Sequence, residues 1–510
     1  MITQQDVIYF ILTDRFSDGD ATNNHGVDKD HSKGYHGGDL QGIIDKIDYI
    51  TNLGVTAIWI TPVYLNTTGF EDHRPYHYYW PKDFAQIDSR LYSGNAYPQG
   101  SIQYLTDFVQ VLKGHGLKVI LDVVVNHGGY GISEQNPLFN DPFWFNNHAG
   151  GNDEVNSSLA GLPDFNHDSV NVVDYFINNL IQWISSTGID GLRMDTAKHV
   201  EPKFWYYYKS IIKGKHPDLF LVGEVLDTRN VAEIAKYQRV HDFNSVFDFP
   251  LREAIKDCFI YDVSLKTLAR PRLNANEPNG ILDLDSAETG GYTNANRLVT
   301  LLDNHDLDQR ITSIARGKHQ GENNKGLAFQ IVELCYAFLF TVRGIPQIYY
   351  GSELGLEGWK VGTDDSDLRR DFPWNIIGVV APKEEYRLEA NLFAKVKTLI
   401  AFRKRNEALM YGVTITLWVD DFVLAFLRFL QNHVVLAVFN NGYSDMPSPL
   451  AIPILRNTSK ELQNLPDRLI SRIESKTFRN IFDNNDKIRL FSNAIPVKLK
   501  GKDYKIYELI

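Results

Sequence analysis

The chain has 510 residues, too many for one ordinary core, so two or three domains are expected. Its composition, 43% hydrophobic and 23% charged with no apolar run long enough to cross a bilayer, is that of a globular chain. A net charge of −11 argues against nucleic acid or an anionic membrane as a partner.

Aromatic residues make up 12% of the chain, which suits a surface that stacks on ring-shaped ligands. Cys258 and Cys335 both lie in apolar segments and read as buried thiols, not as a disulfide framework or a zinc site. The start, Met1 to Asp6, lacks a charged region followed by an apolar core. A cytoplasmic protein is therefore expected, with a processed secreted form as the alternative, and a monomer is favoured over an oligomer.

Val7 to Leu12 is a first apolar strand. The loop after it carries Asp18, Asp20, Asn23 and Asn24, and has two readings: a calcium loop of hard oxygen ligands, or a solvated Asx-rich turn. Leu40 to Leu53 has helical period, and Val55 to Ile60 is a second strand. A long loop from Thr61 to about Tyr97 holds the cluster Tyr76-His77-Tyr78-Tyr79-Trp80. That cluster suits either sugar stacking or a hydrophobic plug over the core. Gly100 to Gly116 reads as helix, and Leu117 to Val125 as a third strand ending in Asn126-His127.

From Gly128 to about His167 no period holds, and the stretch is rich in Gly, Asn, Asp and aromatics. So long a break implies a functional loop or a small inserted domain. Helix returns over Asp168 to Thr187. Ile189 to Met194 is then a short buried strand that delivers Asp195 at its end, with Arg193 on the same face. A guanidinium there orients a nucleophile or a metal ligand, or forms a structural ion pair only.

Further on, helices are read at Glu201 to Lys213, Val231 to Arg239, Leu251 to Ala269, Leu327 to Val342 and Glu389 to Arg405. Strands are read at Leu219 to Val222 (before Gly223-Glu224), Phe243 to Phe247, Arg297 to Leu302 (before Asp303-Asn304-His305-Asp306) and Ile345 to Tyr350. A polar loop spans about Pro271 to Thr293.

Strand alternating with helix in this way predicts an α/β fold, a parallel (β/α)₈ barrel over 1–127 and 168–408, with a small inserted domain at 128–167. Past Tyr411 the pattern becomes short alternating runs: Phe422 to Phe429, Val434 to Phe439, Lys487 to Phe491, Ile495 to Leu499 and Tyr504 to Leu509. These predict a C-terminal antiparallel β domain over 409–510.

Asn126, His127, Asp195, Glu224 and Asp306 all follow strand C-termini, where barrel active sites are built. Three carboxylates from separate strands suit glycosidic bond cleavage, which needs one carboxylate and one carboxylic acid. Asp195 has Arg193 beside it, whereas Glu224 has no basic neighbour in sequence, so different protonation states are expected. His127 and His305 can hydrogen-bond sugar hydroxyls. A metal-dependent hydrolase is the alternative, but no tight His-x-His cluster follows a strand.

These segments resemble a known family. Asp122-Val-Val-Val-Asn126-His127, Gly191-Leu-Arg193-Met-Asp195-Thr-Ala-Lys198-His199, Gly223-Glu224-Val225 and Leu302-Asp303-Asn304-His305-Asp306 look like the four signature segments of glycoside hydrolase family 13, the α-amylase family. Leu162-Pro163-Asp164-Phe165-Asn166 looks like its fifth segment, and Arg343 to Glu353 like its eighth-strand segment. The resemblance implies a retaining enzyme acting on α-glucans such as starch, with Asp195 as nucleophile, Glu224 as acid/base and Asp306 as stabiliser of the transition state. It implies that Arg193, His127 and His305 frame the sugar, that Tyr79 stacks on it, and that His77, Lys198 and His199 also face the substrate. Asp365 and Arg369 resemble a donor-side sugar-binding segment.

Structural calcium is implied at Asn126, Asp164 and the His199 carbonyl. The loop of Asp18, Asp20, Asn23, Asn24, Gly37 and Asp39 resembles a second calcium site of cyclodextrin glucanotransferases and maltogenic amylases. Glucanotransferases of that kind carry extra C-terminal β domains and usually an aromatic where Val225 stands. Cyclodextrinases carry an N-terminal β domain and usually Glu where His199 stands. The expectation is therefore an endo-acting α-amylase, with a transglycosylating, maltogenic or cyclodextrin-degrading enzyme as the alternative and a non-catalytic glycan-binding barrel as a remote one.

Overall fold

The computed structural model describes residues 1–68, 74–92, 98, 100–146, 154–270, 278–285, 291–320, 324–377, 384–454 and 467–510. The first strands are β1 (Ile8–Ile11) and β2 (Ala57–Ile60), buried at every residue. An antiparallel pair follows, β3 (Tyr64–Asn66) and β4 (Pro81–Ile87). Then come β5 (Lys118–Val123), β6 (Gly191–Met194), β7 (Phe220–Gly223), β8 (Ser245–Val246), β9 (Val299–Leu301) and β10 (Ile345–Tyr349).

Excluding β3 and β4, these strands pair in the order β8-β7-β6-β5-β2-β1-β10-β9, parallel throughout. A parallel bridge between Phe247 and Val299 closes the ring, with the Asp248 N–H donating to the Val299 carbonyl at 2.9 Å. The fold is a (β/α)₈ barrel. Short strands buried on both faces need continuous apolar runs, which is why each was visible as such in the sequence.

Helices cover the outside. The helix Val170–Thr187 stops at Gly188, whose φ of 68° lets its N–H reach the Ile184 carbonyl at 3.1 Å and turns the chain into β6. The helix Lys325–Thr341 is apolar on most sides because the C-terminal sheet covers it. Its Phe338 ring meets Phe439 at 5.4 Å and Phe426 at 6.1 Å.

That sheet is built from β11 (Val413–Val419), β12 (Val423–Leu430), β13 (His433–Asn440), β14 (Leu450–Pro453), β15 (Phe478–Asn480), β16 (Lys487–Ile488), β17 (Ala494–Val497) and β18 (Asp503–Leu509). Six of them order as β11-β12-β13-β18-β15-β16, and β14 pairs with β17. Lys502 locks it to the barrel: its buried ammonium donates to Asp262 (2.6 Å), Asn441 (2.8 Å) and the Phe259 carbonyl (3.1 Å).

Several elements differ from the sequence expectations. The predicted helix Leu40 to Leu53 is two, Leu40–Asp45 and Ile47–Leu53, because the Lys46 N–H turns back to Ile43 at 3.2 Å. The helix predicted to reach Ala269 ends at Phe259, since Asp262 adopts a left-handed φ of 60°. The loop expected from Thr61 to about Tyr97 contains β3 and β4. All four of Tyr76, His77, Tyr78 and Tyr79 are buried, and His77 and Tyr79, with Trp80, also line a cleft. Most of the polar loop Pro271 to Thr293 lies outside the described residues. Among those residues, no helix is long and apolar enough to cross a membrane.

Candidate active site

The site is assembled around Arg193, which is fully buried at the end of β6. Nη1 lies 3.0 Å from Asp122 and 2.6 Å from Asp195, and Nη2 lies 2.7 Å from Glu224 and 3.9 Å from Asp306. One guanidinium therefore faces four carboxylates. Glu224, which has no basic neighbour in sequence, gains one in space: β6 pairs with β7 in a register that sets Arg193 opposite Val222, two residues before Glu224. The β5–β6 register likewise sets Asp122 opposite Arg193. Asp122 also accepts from Trp59 Nε1 (3.0 Å) and the Tyr79 hydroxyl (2.6 Å), and burial pushes its carboxyl up to about 7 against the pull of Arg193.

The two carboxyls at the mouth sit in opposite states. Burial pushes Glu224 up to about 8 in spite of Arg193, and the negative charges of Asp306 and Asp195 push the same way, so it is a carboxylic acid at neutral pH. For Asp306 burial is outweighed by His305, Arg369 (2.8 Å) and Arg193, and its carboxyl is held below the ordinary range. The guanidinium groups carry that effect near neutrality, since burial draws His305 down to about 3. Burial also lowers His127 and His77, which leaves neutral imidazoles that can donate and accept. His127 Nε2 lies 3.1 Å from the Tyr79 carbonyl.

Three residues that the sequence reading did not single out support this arrangement. Asp122 braces Arg193 from behind. Thr196 holds a left-handed φ of 45°, rare for a Thr, and its N–H donates to Glu224 Oε2 at 3.0 Å while its hydroxyl donates to Asp195 at 3.3 Å. Arg252 donates to the carbonyls of Leu302 (3.1 Å) and Gln309 (2.9 Å), which fixes both ends of the segment carrying His305 and Asp306. Only the register or the backbone conformation gives these residues their roles; the sequence signals were the position of Thr196 next to Asp195 and that of Asp122 at the head of a signature-like segment.

The cleft above Arg193 has a volume of about 440 Å³ and is lined by His77, Tyr79, His127, Asp195, Lys198, His199, Glu224, His305, Asp306, Asp365 and Arg369. The Tyr79 ring lies nearly parallel to His305 with centroids 5.2 Å apart. Asp365 pairs with Arg369 at 2.8 Å, Lys198 with Glu154 at 3.2 Å, and His199 Nδ1 meets the Glu154 carbonyl at 2.6 Å.

Two clusters of oxygen donors lie outside the cleft floor. Both side-chain polar atoms of Asn126 are buried without a hydrogen-bond partner. The Phe165 N–H donates to the Asn126 carbonyl at 2.9 Å, which brings Asp164 alongside, and Asp164 accepts from Asn146 at 2.7 Å. An orphaned buried amide oxygen beside a carboxylate fits a hard cation.

In the N-terminal loop, Asn23 and Asn24 each bury a side-chain oxygen without a partner. At Gly37 (φ 91°) a Cβ would fall 2.6 Å from Asn24 Oδ1 and 3.0 Å from Asp18 Oδ2, so that backbone closes on both oxygens. Asp39 is engaged otherwise, accepting from the N–H groups of Gly19, Asp20 and Gly42 and from Asn23 Nδ2, and Asp20 caps a turn at Thr22. Among the described residues no three His, Cys, Asp or Glu side chains form a metal cluster, so a cation at either place would combine a single carboxylate with amide and carbonyl oxygens.

A model of the α-amylase catalytic domain matches residues 10–378, and the chain belongs to the α-amylase family of glycoside hydrolases. It is 30% identical to a cyclomaltodextrinase of Thermoanaerobacter pseudethanolicus over 86% of this chain and 71% of that protein. It superposes on an Anoxybacillus α-amylase, described as a new glycosyl hydrolase subclass, with a TM-score of 0.78 and 29% identity over 99% of this chain and 98% of that one.

It also superposes on CldA, described as the first cyclomaltodextrin glucanotransferase with a three-domain ABC distribution, with a TM-score of 0.74 and 25% identity over 99% of each chain. Three domains are thus described for one glucanotransferase, so domain number by itself does not weigh against the transglycosylating alternative. The chain spans 37% of the length of a β/α-amylase of Paenibacillus polymyxa and 60% of that of a cyclomaltodextrin glucanotransferase of Paenibacillus macerans.

Proposed function

We propose that this chain hydrolyses internal α-1,4-glucosidic bonds in starch, glycogen and maltooligosaccharides with retention of configuration. The observation that carries the reading is the shared guanidinium: Arg193 holds Asp195 and Glu224 together while Glu224 stays protonated and Asp306 ionised. Asp195 attacks the anomeric carbon, and the Glu224 proton passes to the leaving oxygen as the glycosidic bond breaks. A covalent glycosyl-enzyme remains. Glu224, now a carboxylate, takes a proton from water, whose oxygen displaces Asp195 and regenerates the acid. Asp306, with Arg369 at its back, is the negative charge set against the cationic sugar of each transition state.

Neutral His127, His305 and His77 bond sugar hydroxyls, Tyr79 stacks on the ring, and Asp365 and Arg369 bind the donor side. Lys198 and His199 face the other side. Calcium at Asn126, Asp164 and the His199 carbonyl would tie the segment after β5 to the barrel, and a second ion would sit among Asp18, Asn23, Asn24 and Gly37. Bound there, the ion supplies structural cross-linking. A cyclodextrin-degrading or transglycosylating enzyme is the second reading, favoured by the identity to a cyclomaltodextrinase. Product analysis from maltoheptaose and β-cyclodextrin separates the two. Internal cleavage of maltoheptaose with slow attack on the ring supports the first, and preferential ring opening or longer transfer products overturn it.

A further inference from the structure

We infer that Arg310, which does not line the cleft, is a positioning residue: it anchors the turn that carries Arg369 and so keeps Arg369 on Asp306. This rests on the role given to Asp306 under Proposed function. Arg310 stands four residues after Asp306, at the entry to the helix Ile311–Lys318, and is fully buried. Its Nε (3.1 Å) and Nη2 (2.9 Å) both donate to the Leu368 carbonyl. Its Nη1 donates to the Tyr350 carbonyl (2.9 Å) and to Ser352 Oγ (3.2 Å), where the chain leaves β10. Arg369, the residue after Leu368, closes the turn Ser366–Arg369. Its Nε donates to the His305 carbonyl at 3.2 Å and its Nη2 to Asp306 Oδ1 at 2.8 Å. A closed ring results, from Asp306 along the chain to Arg310, across to Leu368, on to Arg369 and back to Asp306.

The ring answers a need of the site. Arg369 Nη2 is shared between two carboxylates, Asp306 and Asp365, each at 2.8 Å. A small slide of the turn would give it to Asp365 and take it from Asp306. Around Asp306, Arg193 stands further off at 3.9 Å and His305 is neutral, so Arg369 is its close cation. The Leu368 anchor is what opposes the slide, and the Tyr349 hydroxyl reinforces it, donating to the same carbonyl at 3.3 Å. The hydrogen-bond partners of Arg310 are two carbonyls and a hydroxyl, with no carboxylate among them. A buried charge held by neutral dipoles is a poor source of stability, whereas a planar fork that grips two other segments at fixed angles is a good source of position. The Ser352 hydroxyl carries the link further, donating to Asp303 Oδ2 at 2.6 Å and tying the segment after β10 to the one after β9.

The test is a double-mutant cycle of Arg310→Lys and Arg369→Ala, read as kcat/KM on maltoheptaose. Lys keeps the charge but not the fork, so it can hold only one of the two segments. Each single variant should fall about ten- to a hundred-fold, and the double variant no further than Arg369→Ala alone, because Arg310 acts through Arg369. The acid limb of the Arg310→Lys pH–rate profile should also move up, since Asp306 without its close cation is easier to protonate. A merely structural lesion would scale that profile without moving it. If Arg310→Lys does not fold, Tyr349→Phe takes its place in the cycle. It removes one hydroxyl from Leu368 and should cost about two- to five-fold, an effect that disappears in the Arg369→Ala background. Losses that multiply in the double variant, or an acid limb that stays in place, would overturn the assignment. An Asp306→Asn protein as active as wild type would instead overturn the role of Asp306, and the cycle would still decide whether Arg310 and Arg369 act as one unit.

Discussion

Replacing Glu224 by Gln substitutes an amide for a carboxyl that is already neutral at pH 7, in a pocket where Thr196 N–H and Arg193 hold the two oxygens. With its ionisation near 8, about nine-tenths of the wild-type enzyme carries the acid at pH 7. An unperturbed Glu would be protonated well under about 1% of the time. Removing the acid should lower starch hydrolysis by ~10²–10⁴. With α-glucosyl fluoride, whose leaving group needs no proton, the first step should keep most of its rate.

Stability adds an independent readout. The folded-state value lies above the unfolded one, so the native protein binds this proton more tightly, and wild-type stability falls as pH rises from about 4.5 to 8. Gln has no proton to lose. The variant should therefore gain on wild type across that window by an amount on the order of a few kcal/mol. The assays are initial rates on starch and on the fluoride, and thermal unfolding at pH 5 and pH 8. If the fluoride rescues Asp195→Ala but not Glu224→Gln, the two roles are exchanged. A stability difference that stays flat with pH would show that Glu224 is not a buried acid.

In the wild type, kcat/KM should decline on the alkaline side near pH 8 as Glu224 ionises, and a pH–rate profile checks this. The product released from an α-1,4 bond should be the α-anomer at first, and nascent β-anomer in an NMR time course would refute Asp195 as nucleophile. Asp306→Asn should be ~10²–10³ slower on starch and on the fluoride alike, while maltooligosaccharide binding by calorimetry largely survives. Chelator should lower the melting temperature and added calcium restore it, since an ion joining Asn126 to Asp164 stabilises the folded state by mass action. Identical melting curves, with no metal by elemental analysis, would remove both sites.

Much of this was legible in the residues alone. A buried parallel strand must be a continuous apolar run, so β1, β5 and β10 announced themselves. Because such strands end at the active face of a barrel, the acidic residues that follow them point to a candidate site from the sequence alone. What sequence could not carry was anything set by register between distant segments. Arg193 meets Glu224 because β6 lies beside β7, although 30 intervening residues separate the two in sequence.

Asp122 likewise became a brace for Arg193 only through the β5–β6 pairing. Protonation followed from burial, a property of the packed whole: in the sequence Glu224 and Asp306 are two carboxylates of similar strength, and the fold separates them by giving one a dry pocket and the other Arg369. The aromatic cluster showed the same limit. Nothing local distinguishes Tyr78 from Tyr79, yet a left-handed turn at Tyr78 buries one ring and points its neighbour toward the cleft, because only the tertiary structure decides which face is covered.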